Sequence, residues 1–120
     1  LTDGSLLTYM NGSFVLKHAV TRFEECITTA LLHNNYTIDD LDLLIPHQAN
    51  LRITDFIVRK FKLPQEKVFN NIQKYGNTTA ATIPLCLWEW ESQLKKGDNL
   101  ILAAFGGGFT WGAAWVKWAY

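Results

Sequence analysis

Apolar positions mark out the chain before any single residue does. Phe14, Val15, Ala19, Phe23, Cys26, Ile27, Ala30 and Leu31 recur at helical spacing, predicting a first helix that runs to about Leu32. Asn11 or Ser13 is placed to cap its start, and His33-Asn34-Asn35 to end it. The stretch before it, Leu1 to Tyr9, reads as the tail of a strand and a loop. Leu41 to Ile45 is an apolar run of strand length closed by Pro46. Gln48 to Phe61 predicts a second helix, with Leu51, Ile53, Phe56, Ile57 and Phe61 as its packed face; Pro64 closes it, and Lys67-Val68-Phe69 reads as a brief strand. A third helix is expected from Thr78 or Thr79 through Ile83, Leu87, Trp90 and Leu94, with Pro84 in its first turn or two, where a missing N–H does least harm. After the turn Lys95-Lys96-Gly97-Asp98, Asn99–Phe105 and Thr110–Tyr120 read as strands flanking three glycines. In the last strand Trp111, Ala113 and Trp115 fall on one side and Gly112, Ala114, Val116 and Trp118 on the other, so both faces should be covered. The order helix, strand, helix, strand, helix, strand, strand predicts a layered α/β unit without internal repeats.

Composition narrows this only a little. With 120 residues there is room for one small domain, and an apolar content of 48% is ordinary. Five Trp and seven Phe are many rings for such an interior, so some are expected to pack on another chain or segment. The five Trp are read as packing residues. Eleven basic and eleven acidic residues cancel, which argues against nucleic acid or an anionic membrane as the main partner. No apolar run reaches the length of a membrane span. The chain opens Leu1-Thr2-Asp3-Gly4, with neither an initiator Met nor a signal-peptide pattern, and so reads as a fragment whose start lies upstream. Cys26 and Cys86 have no metal-ligand spacing; they read as core thiols of a reducing cytoplasm, and no metal site is expected.

Candidate chemistry gathers in three places. His47 follows Pro46 at the carboxyl end of a predicted strand, where open α/β sheets place their ligands. A neutral imidazole there can donate Nε2–H to a developing enolate oxygen, although a His at a strand end can equally cap a helix. Asn77, between Gly76 and Thr78, is alone an ordinary turn residue; paired with His47 it offers a second donor. Gly106-Gly107-Gly108 suits a hairpin turn, and such a turn can also aim a backbone N–H at an oxyanion. Dinucleotide GxGxxG spacing and a Walker lysine are both absent. Arg52 is either a solvated surface cation or a contact for an acidic partner or a phosphate.

Three longer runs carry a family resemblance: Pro46-His47-Gln48-Ala49-Asn50-Leu51-Arg52, Tyr75 through Ala81, and Ala104 through Gly112. Together they resemble the C-terminal half of the β-ketoacyl-acyl-carrier-protein synthase III family, condensing enzymes of the thiolase superfamily. Elongating ketoacyl synthases resemble this layout too but use two histidines, so Asn77 distinguishes the two. The resemblance implies a thiolase-like layered α/β sandwich, of which residues 1–120 form one half of the αβαβα fold, with the Cys-bearing N-terminal half outside the chain. The implied reaction loads an acyl group from acyl-CoA (acetyl-CoA in the simplest case) onto that Cys. Malonyl on the carrier protein then loses carbon dioxide, and the carbanion attacks the acyl-Cys. The expected setting is the start of type II fatty acid synthesis; a relative in secondary metabolism, or a non-catalytic module with the same half-fold, stays open.

By the same resemblance His47 and Asn77 are catalytic, holding the malonyl thioester carbonyl, and Gly107 contributes an oxyanion N–H. Gln48, Ala49, Asn50, Leu51 and Arg52 match the carrier-protein contact segment. Met10, Gly12, Ala49 and Asn50 match the lining of the pantetheine channel, and Phe105 a residue beside the catalytic centre. No cofactor is implied, since acyl-CoA and malonyl carrier are substrates. The implied partners are the acyl carrier protein, the missing half, and a second copy in a homodimer of the intact enzyme. Neither Cys26 nor Cys86 lies in a motif matching the family's nucleophile, so the chain alone is expected to be inactive.

Overall fold

The computed structural model describes residues 11–120. Helix α1 (Gly12–His33) begins where expected: the Asn11 side chain accepts the Phe14 N–H at 3.1 Å. Ala19, Phe23, Ile27 and Leu31, spaced at one helical turn, form its buried stripe. It ends at Asn34, and Asn35 takes the left-handed conformation at φ 59°.

Three strands form the sheet in the order β1 (Leu43–Pro46), β2 (Asn99–Gly106), β3 (Thr110–Lys117). β1 runs parallel to β2 with Leu43 opposite Leu100, and β2 pairs antiparallel with β3 through the turn after Gly106. The brief strand expected at 67–69 is one parallel bridge, Val68 to Leu44, with the Phe69 N–H donating to Leu44 O at 3.0 Å.

Both sheet faces carry helices. On one, Phe23 and Ile27 of α1 and Ile57 of α2 (Leu51–Phe61) pack on Leu44, Ile101, Ala103 and Phe105. On the other, Cys86 of α4 (Thr82–Trp90) joins Leu43, Ile45 and Leu100, with Ile83, Leu87 and Trp90 against them. β1 is therefore buried on both sides, which is why it reads as an unbroken apolar run. The one-turn helix α3 (Ile72–Tyr75) lies between α2 and α4 in the chain. Among the described residues no helix is long and apolar enough to cross a membrane.

Several details depart from the pattern. α2 starts at Leu51 rather than Gln48, because Asn50 is extended at φ −161° and caps the Arg52 N–H at 2.9 Å. Of its expected packed face, Ile53 and Ile57 are buried, whereas Leu51 and Phe56 stay 37% and 43% exposed. The third helix is broken: Thr79–Ala81 and Glu91–Gln93 are 3₁₀ turns on either side of α4. Thr79 has φ 52°, outside the right-handed helical region, so the α-helix proper begins at Thr82 and Pro84 sits in its first turn, as expected. Among the described residues β3 is an edge strand and is not covered on both faces. Trp115 stacks on Tyr36, while Trp111 is 45% exposed beneath the Arg22 guanidinium and Trp88 is 68% exposed. Two of the five expected packing Trp are thus largely bare within the chain.

Candidate active site

His47 is placed by the sheet. Its backbone N–H donates to Ala103 O at 2.7 Å, continuing the β1–β2 ladder one residue beyond Pro46. The half-buried imidazole turns to α4, where Nδ1 lies 2.6 Å from Thr82 Oγ1. Burial pushes its pKa below the ordinary value, so the ring is neutral at physiological pH. A neutral ring has one N–H to offer.

Asn77 follows Gly76, whose φ 68° and ψ −159° lie in a region open essentially to glycine alone. A Cβ at Gly76 would meet nothing, so the requirement is conformational rather than steric. The Thr79 N–H donates to Asn77 Oδ1 at 2.9 Å, a local turn bond that occupies the amide oxygen of this exposed residue. Thr82 Oγ1 in turn lies 3.0 Å from Thr79 O. His47, Thr82, Thr79 and Asn77 therefore form one connected path from the end of β1 to the loop before α4. Among the described residues neither His47 Nε2 nor the Asn77 amide nitrogen has a hydrogen-bond partner.

A second set of bonds braces the same region. Gln48 is 2% exposed; its Nε2 donates to Pro46 O at 2.7 Å, and its Oε1 accepts the N–H groups of Asn71 and Ile72, each at 3.1 Å. This side chain ties the residue after His47 to the start of α3, and α3 leads into Gly76 and Asn77. Glu89 of α4 adds to the brace by accepting from Asn71 Nδ2 at 2.9 Å, from Tyr75 OH at 3.0 Å and from Lys74. The bond from Lys74, followed by that from Asn71, holds the Glu89 carboxyl below its usual pKa. Sequence reasoning missed Thr82, Asn71 and the bracing role of Glu89. The only local signal was the placement of Thr82 at a helix start, two residues before Pro84.

The remaining expected site residues are scattered around this path. The Gln48 side chain is buried and makes its three hydrogen bonds to backbone partners. Ala49 is half-buried, and Asn50, Leu51 and Arg52 are exposed at the start of α2. Gly107 sits exposed in the β2–β3 turn, where the Thr110 hydroxyl donates to its carbonyl at 3.1 Å. No described bond connects it to His47 or Asn77. Phe105 is 5% exposed, in the core beside Phe109, whose ring also lies near those of Phe14 and His18. Gly12 is exposed at the first residue of α1, and Met10 lies outside the described residues. Cys26 and Cys86 lie in the bodies of α1 and α4, and burial pushes both thiols up to about 11, so neither is a ready thiolate at neutral pH.

Comparison with known proteins agrees with this layout. Residues 31–118 match the family described as 3-oxoacyl-[acyl-carrier-protein] synthase III C terminal. A β-ketoacyl-[acyl-carrier-protein] synthase III from Porphyromonas gingivalis is 54% identical over 112 residues, which is 93% of this chain and 33% of that protein. The solved synthase III of Thermus thermophilus superposes with a TM-score of 0.89 at 42% identity, over 92% of this chain and 35% of that one. The Aquifex aeolicus structure gives 0.89 at 44% identity, over 92% and 36%. The thiolase-like half-sandwich expected from the sequence is thus the observed fold. The chain spans about a third of the length of the curated relatives it matches.

Proposed function

The chain belongs to the 3-oxoacyl-acyl-carrier-protein synthase III family, as its C-terminal part, and from that premise we propose that it carries the decarboxylation apparatus of a condensing enzyme. Malonyl held on the carrier protein as a thioester loses carbon dioxide. The electron pair of the broken C–C bond passes toward the thioester carbonyl, whose oxygen takes up negative charge. His47 Nε2–H and the Asn77 amide donate to that oxygen. The resulting carbanion attacks an acyl thioester on a Cys supplied by a segment outside these residues, forming the new C–C bond and releasing the thiolate. Fixed donors act here mainly in the transition state, because the charge is absent from the ground state. The observation that supports this reading is the hydrogen-bonded path from His47 through Thr82 and Thr79 to Asn77, whose amide oxygen is engaged by the Thr79 N–H.

The acyl donor is acyl-CoA, acetyl-CoA in the simplest case, and the active assembly is a homodimer working in the cytoplasm. The 120-residue chain alone lacks an activated thiol. Incubated with acetyl-CoA and malonyl carrier it should yield no β-ketoacyl product, and the chain joined to a Cys-bearing half should yield it. Turnover through acylated Cys26 or Cys86 in the isolated chain, or none from the joined protein, would defeat the proposal.

Carrier docking falls to the exposed start of α2. Among the described residues Arg52 makes no ion pair, so its guanidinium is available to an acidic partner. Arg52→Glu removes one attraction and adds one repulsion, each worth up to ~1 kcal/mol at a surface. The expected result is about a tenfold rise in KM for malonyl carrier at low ionic strength, shrinking as salt rises, with transfer from acetyl-CoA unaffected. An unchanged KM at low salt would make Arg52 an ordinary surface cation.

A further inference from the structure

α3 is a single turn, Ile72–Tyr75, and so short a helix does not hold itself in water. Its place is set by what ties it down. Gln48 Oε1 holds N–H groups at its start, and Glu89 of α4 reaches both of its ends. The two oxygens of that carboxylate divide the work. Oε2 accepts from Asn71 Nδ2 at 2.9 Å where the turn begins, and Oε1 accepts from Tyr75 OH at 3.0 Å where it finishes. An ionised carboxylate can only accept, so both donors are assigned by chemistry. Asn71 is itself held: it is 6% exposed, and its Oδ1 accepts the Cys86 thiol at 3.1 Å. Lys74 also meets Oε1, but its side chain is 62% exposed, and an ion pair at such a surface contributes little.

Gly76 and Asn77 follow Tyr75 directly, and α4 begins at Thr82, the partner of His47. Both ends of α3 are therefore referred to the helix that His47 touches. We propose that Glu89 is a positioning residue whose carboxylate clamps α3 at Asn71 and Tyr75 and so sets where Asn77 stands relative to His47. This deepens the proposed function and rests on it for its purpose, although the clamp is built from bonds that involve neither His47 nor Asn77.

Reversing the polarity of the Asn71–Glu89 bond tests this in the chain joined to a Cys-bearing half. Asn71→Asp sets two carboxylates against each other at the start of α3. The Gly76 N–H donates to Ile72 O at 2.8 Å, and its hydrogen exchange reads the integrity of the turn. That exchange should quicken by about tenfold, the effect of losing one hydrogen bond to a charged group. Malonyl decarboxylation should fall by about 10- to 100-fold, the larger figure being the cost of a misplacement of about 1 Å. Acyl loading from acetyl-CoA should be unchanged. Adding Glu89→Gln puts an amide nitrogen where Oε2 stood and keeps Oε1 for Tyr75, so the double variant should recover both exchange and rate. Unchanged exchange or unchanged decarboxylation in Asn71→Asp overturns the proposal, and so does a double variant that fails to recover both. Tyr75→Phe releases only the far end of the clamp and should move both readouts in the same direction. A Tyr75→Phe protein indistinguishable from the unsubstituted one overturns the proposal even where Asn71→Asp does not fold. Full decarboxylation by Asn77→Ala would instead overturn the enolate role, with Gly76 exchange still deciding the clamp.

Discussion

His47→Ala and Asn77→Ala should each slow malonyl decarboxylation by about 100- to 1000-fold, the usual cost of removing one preorganised oxyanion donor. Loading of the acyl group from acetyl-CoA should change little in either variant. The asymmetry follows from where charge appears: decarboxylation places it on the malonyl thioester oxygen, which both donors face in the proposed geometry, whereas acyl loading needs no enolate. The double variant should lose less than the product of the two single losses, because the groups serve one oxygen and are joined through Thr82 and Thr79. Single-turnover assays of the two half-reactions check this. Equal losses in loading and decarboxylation would remove both residues from the assigned role.

The two proposed donors stood out in the sequence because their neighbours form long specific runs, and the strands because β1 and β2 are apolar on both faces. The periodicity of α1 was equally clear, since Ala19, Phe23, Ile27 and Leu31 repeat at one turn. What escaped reading was held by side chains bonding across sequence distance. Gln48 meets the Asn71 and Ile72 N–H groups 23 and 24 residues away, and Thr82 meets His47 35 residues away. Neither contact leaves a periodic trace, so Gln48 looked like the first residue of α2 and Thr82 like one residue of a longer helix. Coverage of β3 escaped for a different reason. Apolar residues on both faces show that a strand tolerates burial, not that anything lies beside it, and among the described residues the strand is at the edge with Trp111 45% exposed.

Gln48→Leu should destabilise the protein by about 2–5 kcal/mol. The substitution keeps side-chain bulk and apolar contact but leaves two backbone N–H groups, those of Asn71 and Ile72, without their acceptor, and Pro46 O without its donor. Each unsatisfied buried group costs about 1–3 kcal/mol. Three such groups would cost about 3–9 kcal/mol together, and the loss falls toward the low end because the Ile72 N–H is only part-buried and water can recover some of its bond. In denaturant unfolding the midpoint should fall while the slope stays constant. Decarboxylation should fall as well, because α3 then loses its tie to the residue after His47 and the loop bearing Asn77 is free to drift. Glu89 limits that drift by holding Asn71 and Tyr75 from α4, so Gln48→Leu should weaken the two-donor site rather than abolish it. A carrier contact at this position predicts the reverse pattern: a raised KM for malonyl carrier, with the unfolding midpoint unchanged. With its side chain 2% exposed and three hydrogen bonds made inward, Gln48 belongs to the first pattern. An unchanged midpoint would mean that the brace between His47 and Asn77 is carried elsewhere.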